Sequence, residues 1–378
     1  MIWPLGVSSA GVASGIKSGG DLDLGLLVAN RRADWAGTFT RNAAAAACVY
    51  RNRQLLGHPA RAVVVNSGNA NACTGTAGEA AVEATAAAAA RTLGCAPQEV
   101  LVASTGLIGV PLDVGRLIDA LPAAIESLSG DPEPFATSIL TTDTTTKMSR
   151  ARAGDAEILG VAKGAAMLAP NMATMLAFLA TDAAGDPASL QQGLRRAVEV
   201  TFNRICVDAC ESTNDSVICL ATGRVPTEGG ALADALVAVC ASLAEQIARD
   251  AEGAARLVRV GIEGAPDQNV AAALGRAVAS SALWRAAAHG ADPNWGRILA
   301  ALGSADRSLQ PSSVSVAIGP ELVFAHGEPV GSRSSARRAL EADDVTVTCT
   351  VGEGSGRAEI LSSDLSPDYV TLNAFATS

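Results

Sequence analysis

Residues 163–182 read KGAAMLAPNMATMLAFLATD, and both the fold and the chemistry of the chain turn on them. A turn signal, Pro170-Asn171, precedes an apolar-leaning run from Thr174 to Ala180, which Thr181-Asp182 closes. A short run bounded in this way predicts a strand buried on both faces. Thr174 opens the run, and Lys163 stands eleven residues before it. A threonine hydroxyl is a poor nucleophile unless a base lies beside it, and a threonine can carry its own. When the hydroxyl attacks the Ala173 carbonyl and the resulting ester hydrolyses, Thr174 becomes a new N-terminus. Its α-amine, with a reference pKa of about 7.7–8.0, then takes the hydroxyl proton near neutral pH. The same residues also read as an ordinary strand start, where β-branched side chains are common.

The 378 residues leave room for two domains or one large one. With 17% charged and 49% hydrophobic residues, the composition is that of a well-buried globular protein. A net charge of −10 argues against nucleic acid or an anionic membrane as partner, since both call for basic patches. Charge or glycine interrupts the apolar stretches before the ~18–20 residues of a membrane span. The opening MIWPLGVSSAG lacks the charged start and long apolar core of a secretory signal, so a cytoplasmic location is expected. Eight cysteines without a CxxC pair, and only three histidines, read as reduced, mostly buried thiols and no metal site.

Strands are expected around residues 25–29, at 62–66 and at 258–262, then at 313–318, 345–351 and 358–361. Glu79–Leu93 is a strong helix former, and a second helix is expected from Pro111 to about Leu128, kinked or split at Pro122. Residues 129–134 read as loop. Asp186-Pro187 is an N-cap followed by proline at the first helical position, opening a helix to about Thr201. Another helix spans roughly Ala231 to Asp250. This mixture supports an α/β or α+β fold.

Further blocks extend the reading: AGVASGIK (10–17), VVNSGNANACTG (64–75), ASTGLIG (103–109) and TTDT (141–144) precede the AKG…APNMATMLAF stretch. FNR…VD…STND (202–215), DAEG (250–253), DPNWGRILAALG (292–303) and YVTLNA (369–374) follow it. In this order and over nearly the whole chain, they resemble the ornithine acetyltransferase (glutamate N-acetyltransferase) family. The resemblance implies a layered α/β sandwich, similar to N-terminal-nucleophile enzymes but with the connectivity of the ornithine acetyltransferases and related aminopeptidases. It implies self-cleavage at Ala173-Thr174 into residues 1–173 and 174–378, with Thr174 as nucleophile and Thr105 and Gly106 as the oxyanion hole. Thr141, Lys163, Thr174, Glu252, Asn373 and Ser378 match substrate-contacting positions. The implied reaction moves acetyl from N2-acetylornithine to glutamate in arginine biosynthesis without metal or cofactor, acetyl-CoA serving some members as an alternative donor. The cleaved chains are expected to associate as α2β2 or larger.

The sequence departs from the family pattern at Ala165 or Ala166, in CVDACESTND (206–215), in EGAAR (252–256), at Arg285 and in the tail NAFATS. These departures motivate a second reading, a paralogue acting on another N-acyl amino acid. A hydrolase of the aminopeptidase type is a third, and a catalytically silent homologue a fourth. Read bare, Lys163 is a solvated lysine, Glu252 a helix-end charge, Thr105-Gly106 a turn and the C-terminus a frayed tail. Asp292, Asn294 and Arg297 read as a buried polar network, and His289 as structural.

Overall fold

A computed structural model of the chain describes residues 1–168 and 175–375. They form two compact units. Of the described residues, the first comprises 1–168, 175–203 and 210–247, and the second 204–209 and 248–375.

The first unit is built on an eight-stranded sheet. Its strands are β1 (Val7–Val12), β2 (Leu24–Phe39), β3 (Ala60–Asn69), β4 (Val100–Leu107), β5 (Lys147–Ala153), β6 (Ala156–Lys163), β7 (Leu176–Ala184) and β8 (Ser216–Pro226). The spatial order is β4-β3-β2-β8-β7-β6-β5, with β1 beside β2. Six helices belong here: α1 (Ala47–Gln54), α2 (Gly75–Leu93), α3 (Val114–Glu126), α4 (Glu133–Ser138), α5 (Pro187–Val200) and α6 (Gly229–Arg249), the last leaving the unit after Ile247.

The apolar run of the central block becomes β7, buried along its length between antiparallel β6 and parallel β8. Successive side chains on a strand point to opposite faces, and both faces of β7 are covered. Phe178 meets Phe135 of α4 edge-on at 5.4 Å. Leu179, on the other face, packs beside Gly160, where a Cβ would lie 2.8 Å from Val239 and 2.9 Å from Leu243 of α6. Gly160 therefore lets α6 rest directly on the sheet. By length and composition α6 is apolar enough to cross a membrane, which exceeds the sequence expectation, yet half of that stretch is buried inside the protein.

β2 serves three neighbours along its length. Its first half pairs with β1 and β3, its second half with β8, and Asn30 to Arg32 are exposed at the handover. Asp186 caps α5 as expected, accepting the Ser189 amide at 2.9 Å. Three local expectations need correction. α3 is not split at Pro122 but runs on to Glu126, its buried Leu121 and Ala124 holding that turn against the core. The loop expected at 129–134 already enters α4 at Glu133. The strand expected at 62–66 runs on as far as Asn69, because Ser67 and Gly68 still pair with β4.

The second unit has a six-stranded sheet in the order β12-β11-β10-β13-β9-β14. Its strands are β9 (Leu257–Ala265), β10 (Ser315–Ile318), β11 (Glu321–Ala325), β12 (Glu328–Pro329), β13 (Asp344–Thr350) and β14 (Gly356–Ser363). The helices are α7 (Gln268–Ala279), α8 (Ala282–His289), α9 (Trp295–Ala305), α10 (Arg333–Leu340) and α11 (Pro367–Phe375). α7 packs on β9 and β14 so closely that a Cβ on Gly275 would lie 2.7 Å from Ile360. The layered α/β expectation is met in both units. All eight cysteines are free and five are buried.

Candidate active site

β6 and β7 form an antiparallel pair whose last register position joins Lys163 to Leu176. The lysine thus stands across from the residue two places after Thr174 in the sequence. Ala173, Thr174 and Ser378 lie outside the described residues.

Lys163 is only 3% exposed, so it is not the solvated lysine of the bare reading. Its Nζ donates to Thr141 Oγ1 at 2.6 Å, makes a longer contact of 3.5 Å with Thr105 Oγ1, and lies 3.8 Å from Asp143 Oδ2. Burying an ammonium is costly without an opposite charge. Asp143 supplies one, and its own side chain is inaccessible to water. Asp143 Oδ1 accepts Lys147 Nζ at 2.8 Å and the Gly164 amide at 2.6 Å, while Oδ2 accepts the Thr141 amide at 3.2 Å. Burial alone would raise this carboxyl, but the Lys163 and Lys147 ammoniums and these hydrogen bonds outweigh it and hold it at about 2.

That shift has a consequence for acid stability. The folded-state value lies below the unfolded value of about 3.9, so the stabilisation is complete above that pH and is lost as pH falls through about 2. Its size is on the order of 2 kcal/mol. Urea unfolding at about pH 5 and about pH 3 is expected to show a smaller loss of stability in Asp143→Asn than in wild type.

Thr105 and Gly106 lie at the end of β4, not in a free turn. Gly106 has φ +128° and pairs with Gly68, and a Cβ there would fall 2.3 Å from the Gly68 carbonyl carbon. The pair is buttressed from behind by Asn214, whose Nδ2 donates to Ser104 O at 2.8 Å and to Ala70 O at 2.6 Å. One side chain of the STND block therefore ties the strand bearing Thr105 to the NSGNAN segment. The neighbouring Asp215 accepts the Met175 amide at 3.0 Å, and burial pushes its carboxyl well above the usual range against that amide, the Ser212 hydroxyl and Lys163. Lys17, from the AGVASGIK block, donates to Leu22 O at 3.0 Å and Leu140 O at 2.7 Å, closing the segment before Thr141. Burial lowers its pKa, with Asp23 and Asp21 opposing.

Within the first unit the fold thus gathers Thr105, Gly106, Thr141 and Lys163, and adds Asp143, Lys147, Asn214 and Asp215. The last four went unassigned in the sequence reading, although the TTDT and STND blocks contain three of them. The available signal was an acidic residue inside a threonine-rich run, a composition that polar loops share.

In the second unit, Asn373 Nδ2 donates to Glu252 Oε2 at 2.8 Å. Gly253 makes this meeting feasible: at φ +65° its Cβ position would lie 2.3 Å from the Tyr369 amide, so the glutamate turn abuts the start of α11. The tail up to Phe375 is therefore helix, not fray. Arg285, one of the departures, is buried and donates to Ser363 O at 2.8 Å and Asp364 O at 3.1 Å, securing the chain between β14 and α11. His289 Nδ1 meets Asp364 Oδ2 at 2.7 Å, in keeping with a structural role. The network expected of Asp292, Asn294 and Arg297 is only half-buried. Asn294 reaches Asp292 at 3.1 Å, but Arg297 turns instead to Leu283 O at 2.6 Å, because the N-terminal turn of α9 faces the start of α8.

The ArgJ family profile matches residues 8–378. The arginine biosynthesis bifunctional protein ArgJ of Thermus thermophilus is 44% identical over 379 residues, covering 99% of this chain and 98% of that protein. The protein of the same name from Thermobifida fusca is 41% identical, covering 98% of each. A crystal structure of the Bacillus halodurans arginine biosynthesis bifunctional protein ArgJ, 36% identical, superposes with a TM-score of 0.50 over 52% of this chain and 96% of that one. This chain belongs to the ArgJ family, the ornithine acetyltransferases of arginine biosynthesis.

Proposed function

We propose that this acetyltransferase moves acetyl from N2-acetylornithine to glutamate through an ester on Thr174, a residue made N-terminal by the protein's own cleavage at Ala173-Thr174. Family membership establishes the acetyl transfer between ornithine and glutamate. The Thr174 route is supported above all by one observation: Lys163, at the mouth of the β6–β7 hairpin, meets both Thr141 and Thr105. A crystallised family chain that aligns over 96% of itself with 52% of this one also has about the length of a cleavage product.

In the maturation step the Thr174 hydroxyl oxygen adds to the Ala173 carbonyl carbon, the C–N bond breaks, and the nitrogen takes up the proton the hydroxyl gave away, leaving an ester and a free α-amine. Water then hydrolyses the ester. The free α-amine takes the hydroxyl proton as Thr174 attacks the acetyl carbonyl of the donor. Thr105 Oγ1 and the Gly106 N–H face the oxyanion. Ornithine leaves with the proton, and the α-amine of glutamate attacks the acetyl ester to give N-acetylglutamate. Thr141 and Lys163, together with Glu252, Asn373 and Ser378, contact the amino-acid substrates. No metal or cofactor takes part, and acetyl-CoA is an alternative donor. The halves 1–173 and 174–378 stay joined by the β6–β7 and β2–β8 ladders, which cross the cut, and pair further into α2β2 in the cytoplasm.

Incubation with N2-acetylornithine in the absence of acceptor tests the reading. The fragment starting at Thr174 is expected to gain the mass of one acetyl group and to lose it on addition of glutamate. Acetylation elsewhere, or acetate release at the same rate with and without glutamate, would overturn the proposal.

A further inference from the structure

Asp143 matches no substrate-contacting position, yet it holds both such residues that meet beside Thr105. Its Oδ2 accepts the Thr141 amide at 3.2 Å and faces the Lys163 ammonium at 3.8 Å. Its Oδ1 accepts the amide of Gly164, the residue after Lys163, at 2.6 Å, and Lys147 Nζ at 2.8 Å. One carboxylate therefore joins the segment at 141–143, the end of β6 and the start of β5. We infer that Asp143 is a positioning residue that places Lys163 and Thr141 for acyl transfer, with Lys147 as its counter-ion. This deepens the function proposed above and rests on the substrate roles given there to Lys163 and Thr141.

The physical need is plain. A lysine ammonium sits on a flexible four-carbon stem and sets no direction of its own. Threonine has a single hydroxyl rotor, aimed by wherever its backbone is held. Asp143 fixes the backbone on both sides: the amide of Thr141 itself and the amide that follows Lys163. The 3.8 Å separation from Lys163 Nζ exceeds a hydrogen bond, so the carboxylate acts on the ammonium through charge, and Thr141 Oγ1 supplies the short contact at 2.6 Å. The competing account is that Asp143 merely neutralises Lys147, which is itself fully buried.

Four proteins separate the two accounts: wild type, Asp143→Asn, Asp143→Glu, and the double variant Asp143→Asn with Lys147→Met. Each is assayed for melting midpoint and for kcat and KM toward N2-acetylornithine and glutamate. Asp143→Asn is expected to lower both the midpoint and kcat/KM, the latter by about a hundredfold, as a misplaced reacting group does. The double variant removes both charges of the inner pair. It is expected to regain part of the midpoint, the buried Lys163 still lacking its opposite charge, and to leave kcat/KM down. Asp143→Glu keeps the charge but shifts the anchor by a methylene, and is expected to fold near wild type with kcat/KM still reduced. Recovery of activity together with stability in the double variant would sink the inference, as would wild-type activity in Asp143→Glu. A wild-type protein that does not turn over N2-acetylornithine would instead refute the proposed donor, and the same comparison is then made on the N-acetyl amino acid that it does use.

Discussion

Thr174→Ala is expected to leave one chain of 378 residues, where wild type is expected to yield fragments 1–173 and 174–378. The alanine has no hydroxyl to attack the Ala173 carbonyl, so neither the ester nor the new N-terminus forms. Transfer from N2-acetylornithine to glutamate should fall by roughly 10⁴–10⁶-fold, the scale seen when a nucleophile that acts as a unit with its base is deleted. The fold should survive. Among the described residues the β6–β7 ladder pairs Ile158–Lys163 with Leu176–Thr181 and the β2–β8 ladder pairs Asp34–Phe39 with Ser216–Ala221, and these pairings hold residues before and after the substitution together. Intact mass, thermal midpoint and the transfer assay on the same preparation check all three. Thr174→Ser, which keeps a hydroxyl, should still cleave. Cleavage of the alanine variant, or an uncleaved wild type with full activity, would show that the nucleophile lies elsewhere.

Gly106→Ala is the second large effect, and here the cause is steric. A Cβ would sit 2.3 Å from the Gly68 carbonyl carbon and 2.5 Å from the Asn69 amide nitrogen, both backbone atoms of a neighbouring strand. Nothing flexible can move aside. A backbone at φ +128° adds strain of about 1–3 kcal/mol for a residue with a side chain. Relief requires β3 and β4 to part at the position where the Gly106 N–H is proposed to face the oxyanion. Loss of one such donor costs about 10²–10³ in kcat, and that is the minimum expected. A Gly106→Ala protein with an unchanged melting midpoint and unchanged kcat would remove Gly106 from the proposed site. A lowered midpoint with kcat intact in the folded fraction would make its role structural only.

Legibility differed sharply between these two residues. Thr174 announces itself through what surrounds it along the chain: a turn, then an apolar run, then a polar stop. Gly106 looks like an ordinary turn glycine until Gly68, far away in sequence, is laid against it. The same holds for Lys163. A lysine ending a β pattern reads as solvated, and its burial follows only from Asp143 and Thr141, which lie about twenty residues earlier. Arg285 was legible as a departure from the family pattern but not in its role, because its partners Ser363 and Asp364 sit at the far end of β14.

The sequence by itself determined the elements that short-range chemistry controls. Examples are the doubly buried β7, the capped start of α5, the Ala-rich α2 and the order of blocks that places the chain in its family. Only the tertiary structure decided which side chains meet. It set the pairing order of the strands, the handover along β2, the carboxylate that holds Lys163 and Thr141, and the meeting of Glu252 with Asn373. The reason is physical. Propensity, capping and periodicity act over a few neighbouring residues. Burying a charge or opposing two glycines depends instead on partners brought together from distant parts of the chain by packing, and no local pattern encodes that choice.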